Sequence, residues 1–488
     1  MYQKVCEENA EMAIEISSLK LQLHQFQKML FGFKSEVFKP APAIPVGQGL
    51  LFEVEPSVIV DNTPETKTIQ VNHMTVKPNP KKHNGRNALP ASLRREVVVI
   101  EPEVIAEGSK RIGEEITEEL EYKSAEIVVK KTIRPKYALP SGAGVVIAPA
   151  VERALPKCMA APSLIAHLMI EKFVDHLPIY RQVDRFKRLG VDLNESTIGG
   201  WFKAVHRLFT PLYDALKKEV LQSHYLQVDE STIKVLDKDK KGATHLGYYW
   251  LYHDSIRKLI WYDYHKSRGQ EAPDIALEHF SGYLQTDGYA AYEHFDRNPD
   301  ITHLCCMAHA RRKFYDAKDN DTQRAEYFLE KVQILYALER EIKELSCDEK
   351  LDQRSQRAQP ILLEIKQWLL QEITQVLPLS PIGKAIAYSL ERWTKLSIYA
   401  TNGILHIDNN LIENKVRPLA IGRKNYLFAG SHEAATRNGM LYSILVTCKL
   451  NDIHPQQWLT YVMTHLPAHP INKISELLPH NINPKLLG

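Results

Sequence analysis

Three carboxylates are placed to do chemistry: Asp229, Asp287 and Glu413. Asp229 follows Tyr225-Leu226-Gln227-Val228, and Asp287 closes Tyr283-Leu284-Gln285-Thr286 just before Gly288. An acid inside a half-buried strand is costly unless it is paired or bound to a metal. An acid at a strand end stands where α/β sites collect. Glu413 falls on a polar segment that reads as a helix begun by Asp408 or Asn409 and stopped by Pro418. On that helix Asn410, Glu413, Asn414 and Arg417 share one face, while Leu411 and Val416 point toward packing. Two strand acids and one helix acid can hold two Mg²⁺ ions roughly 3.5–4 Å apart. Mg²⁺ takes hard oxygen ligands and completes its shell with water and phosphate oxygens. Such a pair serves in-line displacement at phosphorus. Mg²⁺ is therefore the expected cofactor, with Mn²⁺ as a substitute.

Each acid alone has a plainer reading. A strand-end Asp is more often a turn residue, and a helical Glu is usually solvated. Their neighbours tip the balance. Downstream of Asp287 stand His309, Arg311, Arg312 and Lys313; after Glu413 come Arg417, Arg423 and Lys424. Basic residues beside acids suit a metal site that meets a phosphate backbone, so all seven are expected to bind DNA. His309 reads equally well as a phosphate contact and as a structural hydrogen-bonder.

The elements that position these groups follow from periodicity. HYLQVDESTIKV, HLGYYWLYHD and KLIWYDYHK read as three strands in meander order. A short helix near Glu271–His279 and a fourth strand, GYLQTD, come next. That order suggests an α/β fold with a ribonuclease-H-like catalytic core. Residues 318–403 read as an α-helical insertion, with Leu329, Val332, Leu335, Tyr336 and Leu338 on one apolar face and Ile361, Leu362, Ile365, Leu369 and Ile373 on another. The core is thus split into 223–317 and 404–450, followed by a C-terminal helical tail at 451–488. Ahead of it, 151–222 reads as helical. IYRQVDRFKRLG ends at Gly190, and a second helix is capped by Asn194 or Ser196, the outline of a helix-turn-helix. Residues 93–150 alternate in short runs such as EIVVKKTI, with RPKY ending one strand, and read as a small β-rich module. Residues 39–92 form a proline-rich linker with a basic patch, KKHNGR. In 1–38, Met12, Ile16, Leu19, Leu23, Phe26 and Leu30 step by four and three in turn, the a/d seam of a coiled-coil helix able to self-associate.

The bulk composition bounds the rest. With 488 residues the chain can hold several domains, and 44% hydrophobic with 25% charged residues is ordinary for a globular protein. A net charge of +3 means that any nucleic-acid surface is local. No apolar run is long enough to span a membrane, and Glu7, Glu8 and Glu11 interrupt any leader-like stretch, so no membrane partner is expected and the cytoplasm is the expected site. None of the six cysteines forms a Cys-x-x-Cys pair, which fits a reducing compartment and no thiolate zinc site.

The motifs in order resemble the insertion-sequence-66 family of DDE transposases over nearly the whole chain. They are LFGFKSE, RIGEEITEELEY, RPKYA, DHLPIYRQ, STIGGWF, QVDEST, QTDGYAAY, CMAHARRKF, IDNNLIEN, RPLAIGRKN and FAGS. The resemblance implies a bacterial, nucleoid-associated enzyme that binds the terminal inverted repeats of its element, cuts beside them and joins the ends to target DNA. It puts the catalytic and metal-binding triad on Asp229, Asp287 and Glu413, and accounts for the long gap before Glu413 by an insertion domain. It also suggests accessory proteins from the same element. One departure concerns the small module, where the family carries zinc-spaced cysteines. Here the sequence reads EVIAEGSK and LPSGAG, with Leu139 at a cysteine position, so no zinc is expected. That loss motivates an alternative, a catalytically silent protein that still binds element ends. A two-carboxylate glycosidase is a further alternative. It would use Tyr248, Tyr249, Trp250, Trp261 and Tyr262 as exposed platforms, but in period-2 strands these pack a core more simply.

Overall fold

A computed structural model describes residues 153–487 apart from 156–157 and 238–242, and upstream of these only a few positions and two short strands. The coiled-coil seam, the linker and most of the β-rich module lie outside the described residues. The chain divides into two units, Met1–Pro149 and Ala150–Gly488. In the first, β1 (Lys136–Ala138) pairs antiparallel with β2 (Val145–Ile147). The strand therefore starts within RPKY instead of ending there. Ile127, Val129 and Lys130 of the expected EIVVKKTI strand have no regular structure.

The second unit is mixed α/β around one sheet. Its strands are β3 (Tyr225–Leu236), β4 (Thr244–Asp254), β5 (Leu259–His265), β6 (Gly282–Thr286) and β7 (Ile301–Cys305), in the order β5-β4-β3-β6-β7. The first three form an antiparallel meander, and β6 and β7 run parallel to β3. The strand β7 was not foreseen. Its five residues include His303, which is buried and bonded to Asp296 and Thr286, so a polar residue interrupts the apolar run.

Helices cover this sheet. They are α1 (Pro162–Phe173), α2 (Ile179–Arg188), α3 (Glu195–Leu221), α4 (Glu271–Leu277), α5 (Met307–Asp316), α6 (Thr322–Glu341), α7 (Cys347–Gln353), α8 (Gln359–Glu372), α9 (Pro381–Glu391), α10 (Trp393–Ser397), α11 (Asn410–Tyr426), α12 (His432–Leu450) and α13 (Pro455–His465). One core lies where α1, α3, α12 and α13 pack on the meander strands, through residues such as Phe209, Trp261, Leu445 and Trp458. The aromatic residues Tyr249, Trp250, Trp261 and Tyr262 are all buried in it. A second core joins β7 and α5 to the helical insertion, with Leu329, Val332, Leu335, Leu338, Leu362, Ile365 and Leu369 buried as their spacing predicts.

The β5 edge is closed by side chains. Ser443 Oγ accepts from Tyr262 N at 2.8 Å, and Thr447 Oγ1 bonds Ile260 one turn on. An open row of strand amides would otherwise be a pairing hazard. Among the described residues no helix is long and apolar enough to cross a membrane.

Candidate active site

The two strand acids are brought level by register. The pairing of β3 with β6 sets Gln227 opposite Gln285. Each glutamine stands two residues before its acid, and residues two apart on a strand share a face. Asp229 and Asp287 are therefore neighbours across adjacent strands, at the end where β6 stops. Gly288 follows with φ +85°, which turns the chain away at once.

The same glutamines carry the return of the chain. Gln227 Nε2 donates to Gln285 Oε1 at 2.9 Å and to the Asp408 carbonyl at 3.1 Å. Gln285 Nε2 donates to the His406 carbonyl at 2.9 Å. Met307 N donates to the Ile407 carbonyl at 3.1 Å. Asn409 N donates to Cys306 Sγ at 3.4 Å. Tyr336 of the insertion holds Asp408 Oδ2 at 2.7 Å. The segment 406–409 is thus clamped against the sheet, and α11 starts from it.

Helix α11 then runs beside the half of β3 that β6 leaves unpaired. Ala429, just past the helix, exchanges backbone bonds with Lys234 and Leu236 at 2.8 and 2.9 Å. Tyr262 Oη donates to the Lys415 carbonyl at 2.7 Å. Pro418 does not stop this helix, which continues to Tyr426. A proline in a helix interior costs about 3 kcal/mol, but burial of Ile412, Leu419 and Gly422 along β3 holds the turn, and tertiary packing overrides the local preference. Arg423 and Lys424 therefore lie on the helix and not in a loop after it. Leu411, expected to pack, is 40% exposed, and Ile412 takes the inward position.

Electrostatics link the three acids. Burial comes first, then the like charges of Glu230, Asp287 and Glu413, and together they raise the Asp229 carboxyl well above the usual range. The Glu230 N–H, 2.7 Å from Asp229 Oδ1, opposes this. Asp287 Oδ1 accepts from Tyr289 N at 2.8 Å. Among the described residues, the group of three possible metal ligands that meet closely includes Glu413 but neither Asp229 nor Asp287. Cys306 Sγ, a His309 ring nitrogen and a Glu413 oxygen lie within 4.8 Å of one another, with His309 Nδ1 3.8 Å from Glu413 Oε1. Burial, then the charge of Asp408, raises the Cys306 thiol well above its ordinary value.

The expected basic residues divide by exposure. Arg312, Lys313, Arg417 and Lys424 are exposed. Arg311 is buried at 8% exposure, and Arg423 is half-buried, with Nη1 donating to the Thr232 carbonyl and, at 2.6 Å, to its hydroxyl. Both were expected at DNA. Arg311 stands on the inward face of α5, and Arg423 ties α11 to β3. Glu230 and Arg268 were missed. Glu230 binds Arg268 Nε at 2.9 Å and Tyr292 Oη at 3.0 Å, and the Arg268 guanidinium lies 3.9 Å over the Tyr289 ring. The signal was present in Asp229-Glu230, adjacent acids that strand geometry sends to opposite faces. The clamp was also missed, although Gln227-Val228-Asp229 and Gln285-Thr286-Asp287 repeat one pattern.

Comparison with known proteins bears on this arrangement. Residues 157–437 match the model of the transposase IS66 family, 443–480 match the IS66 C-terminal element, and 18–98 match a model described as transposase C of IS166 homeodomain. A protein of Sinorhizobium fredii called y4jD is 34% identical over 80% of this chain and 81% of its own length. Another from that organism, y4hP, is 31% identical over 82% of this chain and 77% of its own. The family model spans both strand acids, the helical insertion and the Glu413 helix, and this chain belongs to the IS66 transposase family.

Proposed function

We propose that this protein is a DDE transposase with a ribonuclease-H-like core, which binds the inverted-repeat ends of its element, cuts beside them and joins them to target DNA. The observation that carries the reading is geometric: the β3–β6 register sets Asp229 and Asp287 side by side, and the clamped 406–409 segment leads straight into the Glu413 helix. Like charges held together in a half-buried place favour either a proton or a cation. Their oxygens are the hard donors that Mg²⁺ takes, so the donor set fits the ion. Mg²⁺ bound by these three residues would supply an activated nucleophile and charge stabilisation at phosphorus.

The chain's own residues do the rest. The Gln227–Gln285 clamp fixes where Glu413 enters the site. His309 stands beside that carboxylate, its Nδ1 3.8 Å from Glu413 Oε1. The exposed Arg312, Lys313, Arg417 and Lys424 hold DNA phosphates on either side. Arg311 and Arg423 serve by packing.

The test is incubation of the protein with Mg²⁺ and end-containing duplex. Nicked and joined products are expected from the wild type and none from Asp287→Ala. Full activity of Asp287→Ala would overturn the assignment. End binding with no metal-dependent cleavage would favour the silent end-binding protein.

A further inference from the structure

A second feature lies at the other end of the Glu413 helix. Lys172 sits at the end of α1 with its side chain turned into the protein. Its Nζ is 5.4 Å from the Phe173 ring centroid, 5.7 Å from Phe202 on α3 and 5.8 Å from Tyr426 at the end of α11. These rings are themselves fixed. Phe173 packs on Phe202 and edge-on to Tyr442, and Tyr426 and Tyr442 share a hydroxyl contact. Lys172 forms no ion pair or hydrogen bond among the described residues.

Two more basic groups belong to the elements packed around it. His206 stands one turn beyond Phe202 on α3, and its Nδ1 is shielded from solvent without a hydrogen-bond partner. Arg437 on α12 is half-buried. Burial, then the charge of Arg437, pushes the Lys172 ammonium down to about 8, and burial, then the charges of Arg437 and Arg207, lowers His206. Glu433, one turn before Arg437, is the acid whose field reaches this group, and it acts on Arg437. Cations held together in apolar surroundings with so little counter-charge are expensive. Aromatic faces offset part of that cost for Lys172. An anion would offset the rest.

We propose that Lys172, His206 and Arg437 form a pocket for a backbone phosphate of duplex DNA, a second grip remote from the three acids. The proposal rests on the DNA reading given above. From Glu413 to Tyr426 the helix rises about 20 Å, at ~1.5 Å per residue. At ~3.4 Å per nucleotide along one strand, that span corresponds to about six nucleotides. The α11 helix then acts as a ruler, holding one phosphate at this pocket and the scissile one near Glu413.

The experiment uses the full chain with Lys172→Met and Arg437→Gln, singly and together. Lys172→Met keeps the apolar stem over the three rings and guards against a folding defect, checked by cooperative melting. The first probe is inorganic phosphate against chloride at equal ionic strength. Phosphate should raise the wild-type melting temperature, and the double variant should lose that rise. The second is end-containing duplex, with affinity followed by anisotropy across a salt series. Each phosphate contact contributes about 0.9 to the slope of log K against log salt, so loss of this one phosphate should make the double variant shallower by about 0.9. Loss of both responses supports the pocket. An unchanged slope together with an unchanged phosphate response overturns it. A phosphate response lost in the double variant, with no duplex binding by any form, overturns DNA as the ligand and with it the transposase reading, while leaving an anion site. Duplex binding with Mg²⁺ cleavage and an unchanged slope overturns the pocket and leaves the transposase reading intact.

Discussion

Replacing Gln285 by Met tests the clamp that brings the distant Glu413 back to the sheet. Gln285 is fully buried, and Met fills nearly the same volume without a polar atom. Its Oε1 accepts from Tyr225 Oη and Gln227 Nε2, and its Nε2 donates to the His406 carbonyl. Gln227 Nε2 keeps Asp408 O and Tyr225 Oη as acceptors, so it stays satisfied. Two buried groups are orphaned: the Tyr225 hydroxyl proton and the His406 carbonyl. At about 1–3 kcal/mol for each stranded group, the loss is about 2–6 kcal/mol. Urea unfolding of the wild type and Gln285→Met, read as the shift of midpoint at constant slope, measures it. Cleavage of end DNA should fall as well, because the 406–409 segment loses one of its two glutamine anchors. A cost under about 1 kcal/mol, with cleavage unchanged, would refute the clamp.

Two further outcomes are expected. Arg354 is 2% exposed, pairs with Glu339 through two nitrogens, and donates to the carbonyls of Tyr399, Asn402 and Leu405. Arg354→Met strands Glu339 and three carbonyls and should cost about 3–5 kcal/mol in chemical unfolding. Glu171 is opposed by burial, but His167 and Arg185 outweigh it and hold the carboxyl below its ordinary value. Its contribution is therefore present above the unfolded value of about 4.3 and is lost as pH falls through the lower folded value. A series of melting temperatures should show a flatter acid limb for Glu171→Gln below about pH 4.5, and no difference in slope would contradict the pairing.

The helices were legible because their apolar residues repeat at three to four, and the meander strands because they are rich in aromatic and branched residues, although β3, β4 and β5 each carry a continuous buried run in place of strict alternation. The placement of the acids was legible too: Asp229 lies inside a strand, Asp287 just past one, and Glu413 on a helix. Strand β7 was not, since its five residues carry a buried histidine whose partners lie elsewhere in the chain. Pro418 misled because a local cost was outweighed by packing that no single segment reveals. The burial of Arg311 and the bonding of Arg423 to Thr232 were not legible, because a basic run says nothing about which of its members turns inward. The proximity of Cys306 to Glu413 depends on the backbone bonds that seat residues 406–409, and these join positions far apart in sequence.

The proposed reaction needs Asp229, Asp287 and Glu413 to hold a divalent ion together on DNA. The direct measurement is titration of Mn²⁺ into the protein bound to end-containing duplex, with free Mn²⁺ followed by its EPR signal. Saturable binding is expected from the wild type and should be lost in Asp229→Asn, Asp287→Asn and Glu413→Gln alike. Equal Mn²⁺ uptake by the wild type and all three variants would contradict it.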